Sequence, residues 1–285
     1  MKDNAIISIE AVIAYIEHHL DGRLELSQIA EAVHYSKYHL HRTYTETTGM
    51  TIHDYTQRRQ LTEGAKLLVF SDRPVMEIAL ICGYESQQAF SQAFKAMYKL
   101  PPAKYREKGS FYPLQLPFTL HPGRAAAAFT LRDIRPAKQA DIPDWMNLMR
   151  LVIDGYPMMD EADYLAHLKE SIADKHALVL RNDQALIGAM AFTDSPGSIT
   201  FLGVHPQYRS QGIQQLFLDA LLEICLPGQE ISTTTYREGD RADTGYRKML
   251  EQLGFAEGEL LTEFGYPTQR FVLPPREQED DSCDE

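Results

Sequence analysis

The sequence predicts a two-part chain: an all-α domain built on a duplicated pair of helices, then an α+β domain organised around a mixed central sheet. Three observations carry this. Residues 26–55 and 75–105 write one pattern twice. From Leu131 onward, short strand-like runs alternate with helical ones. Between them, residues 108–130 mix Pro, Gly and aromatics without any period. The division that follows is a first domain over 1–108, a linker over 109–130, a second domain over 131–275 and a tail over 276–285.

The repeat sets Ile29 against Ile78, Ala30 against Ala79, Tyr35 against Tyr84, Leu40 against Phe90, Tyr44 against Phe94 and Tyr55 against Tyr105. Each copy reads as a short apolar-periodic helix, a tight break, and a second helix with a polar outer face. Close crossing of two helices needs a small residue early in the first, and Ala30 and Ala79 supply it. The break favours φ > 0, which Gly83 adopts freely and His34 only at a cost. Ser36 and Ser86 stand where side-chain N-caps belong. This is the grammar of a helix-turn-helix, whose second helix lies in a DNA major groove. Between the copies, residues 52–70 have helical periodicity. A helix of that length spans ~25–30 Å, enough to set two reading heads about one DNA turn apart, ~34 Å.

In the second part a strand is expected at 131–137 and helices near 141–153 and 160–173. Strands follow at 177–181, 185–193 and 198–204, with turns at 182–184 and 195–197. A helix at 211–225, a strand at 230–236, a helix at 243–253 and strands near 257–264 and 269–273 complete the order. One place stands out. A buried strand ending at Val204 runs into the polar loop HPQYRSQG and then an amphipathic helix. Free N–H groups and the helix dipole make such a junction an anion site.

Composition narrows the uses. The chain has 285 residues, 44% of them apolar, and a formal charge of −12, which suits about two globular domains. Residues 1–110 hold 13 Lys+Arg against 13 Asp+Glu, so the acid lies in the remainder, where 15 face 27. Phosphate affinity is therefore expected to be modest and salt-sensitive. Cys82, Cys225 and Cys283 have no metal or redox spacing, and no metal site is expected. No apolar run has membrane length. A cytoplasmic protein with reduced thiols and no membrane partner is expected, its last ten residues a solvated acidic end.

Residues 5–107 resemble the DNA-binding domain of the AraC/XylS transcription activators, closest to the multiple-antibiotic-resistance and superoxide-response branch. The stretches SKYHLHR (36–42), YESQQ (84–88) and PPAKYR (101–106) carry the resemblance. It implies double-stranded DNA as partner and RNA polymerase as a further one. It implies base readers at Tyr38, His41 and Arg42 in the first copy and at Gln87, Gln88 and Gln92 in the second. Gln92 is usually Arg in the relatives, so the target sequence should differ. Lys37, Arg58, Arg59, Lys95, Lys104 and Arg106 are candidate phosphate contacts.

Residues 131–273 resemble the GNAT superfamily of N-acetyltransferases. Arg209-Ser210-Gln211-Gly212-Ile213-Gln214 stands where that family holds acyl-CoA, and RKMLEQLGF (247–255) matches its closing helix and strand. The resemblance implies acetyl-CoA as co-substrate or effector. It implies cofactor contacts at Leu202, Val204 and residues 209–214, and an acceptor that is a small amine or a protein lysine. Many relatives carry a Tyr, the proton donor to the leaving thiolate, where this chain has Leu250. Tyr246, one turn earlier on the same face, is the candidate catalytic stand-in. Glu161, Asp163, Glu238 and Asp240 are candidate proton acceptors. Trp145, Met146, Met149, Tyr156, Met158 and Met159 fall where the family forms its acceptor wall. Three uses fit these features: a regulator that also acetylates, an acetyltransferase controlling its own operon, and an inactive fold sensing acyl-CoA.

Overall fold

The structure, a computed structural model, describes residues 2–121, 129–152, 160–183, 185–263 and 265–275. Seven helices form the first part: α1 (Lys2–His18), α2 (Leu26–Ala32), α3 (Lys37–Thr48), α4 (Ile52–Phe70), α5 (Val75–Ile81), α6 (Gln87–Tyr98) and α7 (Pro102–Lys108). Helices α2–α3 and α5–α6 are the two helix-turn-helix units. Their turns use the left-handed conformation at His34 (φ 57°) and Gly83 (φ 75°). The hydroxyls of Ser36 and Ser86 accept from the His39 and Ala89 N–H groups, capping α3 and α6. Helix α4 joins the units over the span its periodicity predicts.

Each unit has its own apolar core. Ile29, Ala30, Leu40 and Tyr44 pack with α1 in the first, and Ile78, Ala79, Phe90 and Phe94 with the second half of α4 in the other. Glycine at 64 matters here. A Cβ on it would lie 2.9 Å from the Phe90 ring, so α4 and α6 approach closely only because it has none.

The second part runs β1 (Ile134–Pro136), α8 (Ile142–Val152), α9 (Glu161–Ala173), β2 (Ala177–Arg181), β3 (Leu186–Asp194), β4 (Gly197–Val204), α10 (Ile213–Ala220), β5 (Ile231–Tyr236), α11 (Tyr246–Gln252), β6 (Ala256–Glu263) and β7 (Tyr266–Leu273). The strands form one sheet in the order β1-β2-β3-β4-β5-β7-β6. All neighbours are antiparallel except β4 and β5, which bridge only at Ser198 and Ser232, near their starts. Beyond that pair the Thr233 hydroxyl donates to the Ile199 carbonyl at 3.0 Å, and no further backbone bridge joins the two strands among the described residues.

Three elements differ from expectation. Residues 131–133 form a 3-10 turn, because the Asp133 carboxylate accepts from the Thr130 N–H and hydroxyl, and only 134–136 is strand. The helix expected at 211–225 is broken into a 3-10 turn (206–211), α10 after Gly212, and a π turn (221–225). The last helix starts at Tyr246 and not at 243. Asp243 still serves its end, its carboxylate accepting from the Gly245 and Tyr246 N–H groups.

The segment expected as linker begins as a buried strap. Tyr112, Leu114, Gln115, Phe118 and Leu120 are all buried. The Leu114 and Gln115 N–H groups donate to the Thr62 hydroxyl of α4 at 3.1 and 3.2 Å. The two parts also share apolar packing: Tyr236, Ala242 and Tyr266 lie in the same cluster as Leu61, Ala65 and Tyr98.

Candidate functional sites

On the helical part, Tyr38, His41 and Arg42 of α3 and Gln87, Gln88 and Gln92 of α6 are all exposed, Tyr38 to 78%. Arg42 makes one long exposed ion pair with Glu46, at 3.8 Å, so its guanidinium is easily redirected. Neither recognition face is covered by the second domain.

The candidate phosphate contacts divide. Lys37 and Lys95 are exposed. Arg58 and Arg59 are corrected, because both are buried. Arg58 donates to the Ala242 carbonyl at 2.6 Å. Arg59 is held by Glu17, Glu63 and the Gln115 carbonyl. Arg106 is spent on the Leu68 and Arg73 carbonyls, and Lys104 pairs with Glu107. Composition and spacing hold no signal that separates a buried arginine from an exposed one on an amphipathic helix.

In the second part a cavity of about 560 Å³ opens at the end of β4, a size typical of small-molecule sites. The end of β4 (Leu202, Gly203, Val204), the loop with Arg209, Ser210 and Gly212, the start of α10, and α11 with the turn before it enclose it. Gly212 has φ 73° and open space where a Cβ would stand. It ends the 3-10 turn and starts α10, leaving the first N–H groups of that helix without helical partners. Arg209 is the one charged side chain among the described lining residues. Its Nε donates to the Val204 carbonyl at 3.4 Å.

The loop is braced from below. His205 is buried, and its imidazole is held to about 4, first by burial and then by the positive charge of His121 and Arg209. The Gln207 amide clasps the backbone of His121, accepting at 2.8 Å and donating at 2.9 Å. This brace was not among the residues singled out from the sequence. A polar HPQ in a loop gives no sign of facing inward.

Of the residues expected to hold acyl-CoA, Leu202, Val204, Arg209, Ser210, Gly212 and Gln214 line the cavity. Ile213 points into the core, and the Gln211 amide turns back to the Gln207 carbonyl. For those two residues only the backbone is available to a ligand. Tyr246 is half-buried on the cavity wall, and burial pushes its phenol well above the ordinary value. Leu250 is fully buried in the core. The candidate proton acceptors are not brought to the site. Glu161 pairs with Arg150 and Asp240 with Lys99, and neither Asp163 nor Glu238 is among the described lining residues. Trp145, Met146 and Met149 are core, packed on Ala189, while Tyr156, Met158 and Met159 lie outside the described residues. No group of three or more potential metal ligands forms among the described residues, and no described helix is long and apolar enough to cross a membrane.

An exposed pair of helix-turn-helix units and an acyl-transferase-like sheet define the class of protein. Residues 29–108 match the model of a helix-turn-helix domain, and residues 158–263 that of an acetyltransferase (GNAT) domain. The chain belongs to the AraC-type helix-turn-helix regulators and carries a C-terminal GNAT domain. It is 37% identical over 105 residues to the multiple antibiotic resistance protein MarA of Escherichia coli, covering 37% of this chain and 83% of MarA. It is 35% identical over 99 residues to the uncharacterized HTH-type transcriptional regulator YbfP of Bacillus subtilis, covering 35% of this chain and 34% of that one. Among solved structures, the C-terminal domain of AraT, a response regulator from Geobacillus stearothermophilus, is 28% identical. It covers 35% of this chain and 84% of that one, with a TM-score of 0.35. A GNAT-family acetyltransferase from Bacillus cereus is 17% identical, covering 50% of this chain and 96% of that one, with a TM-score of 0.40.

Proposed function

We propose that this regulator binds DNA through α3 and α6 and binds acetyl-CoA in the cavity at the end of β4, transferring the acetyl group slowly to an amine. The observation that carries the second half is the junction at Arg209–Gly212: a cation, an open left-handed glycine and a helix start meet on one cavity wall. The residues fit the group. Arg209 and the N–H groups around Gly212 suit a pyrophosphate, and Leu202–Val204 offer strand backbone toward a thioester carbonyl.

The transfer needs positioning, polarisation of the carbonyl and a route for the protons. The amine nitrogen would form the new bond to the acetyl carbon as the C–S bond breaks, and the proton shed by the nitrogen would pass through solvent to the departing thiolate. Tyr246, which shares the cavity wall with Ser210 and Thr244, is the weak acid we assign beside that thiolate. Its raised phenol stays protonated at neutral pH. Full transfer to a thiolate, whose acid has a pKa of ~8.5, is uphill, so Tyr246 acts chiefly as a hydrogen-bond donor. This favours slow turnover. DNA and RNA polymerase complete the regulator reading, with the acceptor a small amine or a protein lysine.

A specific feature favours a second reading, an acyl-CoA sensor without turnover. Leu250, at the family's donor position, cannot donate a proton, and no carboxylate lines the cavity among the described residues. One experiment separates the two. Acetyl-CoA binding is measured by calorimetry, then thiol release is followed with an amine panel. The enzyme reading expects release that falls about tenfold in Tyr246→Phe with acetyl-CoA affinity unchanged. Binding without release for any amine favours the sensor, and no binding removes both.

A further inference from the structure

The cavity is not walled by the GNAT domain alone. Gly49, the C-cap of recognition helix α3 (φ 70°), lines it as well. The Arg209 side chain lies across this glycine. A Cβ at position 49 would sit 3.0 Å from Arg209 Cδ and 3.6 Å from its Cβ. The stem of the phosphate-binding arginine is thus seated on the end of a DNA-reading helix.

The other recognition helix is held by the loop that precedes α11. Lys99, the C-cap of α6, donates to both carboxylate oxygens of Asp240, at 2.5 and 2.8 Å. From Asp240 a hydrogen-bonded loop leads back to the cavity. Asp240 accepts from the Ala242 N–H at 2.8 Å, and its carbonyl accepts from Asp243 at 3.1 Å. Asp243 in turn holds the N–H groups of Gly245 and Tyr246, both cavity residues. Each recognition helix is therefore gripped at its C-terminal end by one of the two loops that enclose the site. The base-reading residues of both helices stay exposed, so the grip sets the placement of the heads without hiding them.

We propose that Gly49 is a positioning residue of the acyl-CoA site, and that through Gly49–Arg209 and Lys99–Asp240 occupancy of the cavity and binding of DNA are linked. The proposal rests on the reading of the cavity as an acyl-CoA site. An anion in the cavity draws Arg209, its one described charged lining residue, away from Gly49 and the Val204 carbonyl. That rearrangement changes the support under α3. Linkage is reciprocal: whatever factor the ligand imposes on DNA affinity, DNA imposes on ligand affinity.

The test uses the full chain, coenzyme A itself, so that no turnover intervenes, and a duplex enriched by the full chain from a random-sequence pool. Saturating coenzyme A is expected to change the duplex Kd at least about fivefold, and saturating duplex to change the coenzyme A Kd by the same factor. Asp240→Asn, which removes the charge beside Lys99 and is not among the described lining residues, should keep coenzyme A affinity while reducing that factor at least about twofold; Lys99→Gln should do the same from the other side. Gly49→Asn keeps a residue tolerant of the left-handed conformation but displaces Arg209, so coenzyme A affinity should fall severalfold in a protein whose circular dichroism melt is intact. Failure of coenzyme A to bind the unsubstituted chain overturns the site reading and the linkage together. Binding with no change in duplex affinity overturns the linkage alone, and undiminished coenzyme A affinity in Gly49→Asn overturns the role of Gly49.

Discussion

Arg42 and His205 show how differently single residues work in this chain. Arg42 is exposed, with a weak partner in Glu46, and has the reach to make two bonds to a guanine edge. Arg42→Ala should weaken binding to an enriched duplex by ~1–3 kcal/mol and relax the preference at one position. Gel-shift titration on single-base variants of the duplex checks this; uniform weakening at every position would make Arg42 a phosphate contact. His205 is the reverse case, a buried imidazole kept neutral under the cavity loop. Its folded value of about 4 lies below the ordinary 6.5. Between those values the unfolded chain binds the proton and the folded one does not. Stability from this group is therefore complete above pH 6.5 and drains away as the pH falls toward 4, by at most about 3 kcal/mol. Urea unfolding at pH 4.5 and 7 should show a smaller pH difference in His205→Gln than in the parent. An equal difference would mean that the imidazole is not held neutral.

At the scale of elements, the two helix-turn-helix units are a built-in comparison. Both turns are left-handed, one at His34 and one at Gly83. The second turn is also crowded. A Cβ at 83 would stand 2.5 Å from the Gly22 carbonyl oxygen and 2.8 Å from Gln60 Nε2, and backbone does not yield cheaply. Gly83→Ala should cost ~2–4 kcal/mol, whereas His34→Gly should gain ~0.5–1 kcal/mol by relieving strain. Thermal melts of the two variants decide it; similar small shifts in both would mean that position 83 is not crowded and position 34 is not strained. The caps, the small residues and the length of α4 were legible from spacing because each is a local rule. The 3-10 turn at 206–211 and the π turn at 221–225 were not. A polar loop and an amphipathic run read the same in sequence whether the turns at their ends are 3-10, α or π.

For the whole molecule, the contact between domains matters most. Arg58 leaves α4 to donate to Ala242 of the GNAT domain, and Tyr236, Ala242 and Tyr266 complete a core otherwise built from helices α4–α7 and Leu114 of the strap. Domains that share a core unfold together. Calorimetry of the full chain should give one transition. Arg58→Ala, which strands the Ala242 carbonyl, should lower stability by about 2–4 kcal/mol and split or broaden that transition. Two separate transitions in the unsubstituted protein would refute the shared core.

The sequence by itself determined the parts. Ser36, Ser86, Gly83 and the doubled apolar pattern are constraints that act within a dozen residues, so they specified two helix-turn-helix units. The alternation after Leu131, with Arg209-x-x-Gly212 beyond a buried strand, specified the second fold and the loop-to-helix junction on its cavity wall in the same way. Tertiary structure alone decided which charges are spent inside and where the cavity ends. Arg58 and Arg59 look like any other basic pair until Ala242, Glu17 and Gln115 arrive from remote stretches of chain. Gly49 and Arg209 stand 160 positions apart; no local periodicity connects them, and only the packing of one domain on the other puts a DNA-reading helix under the arginine of the cavity.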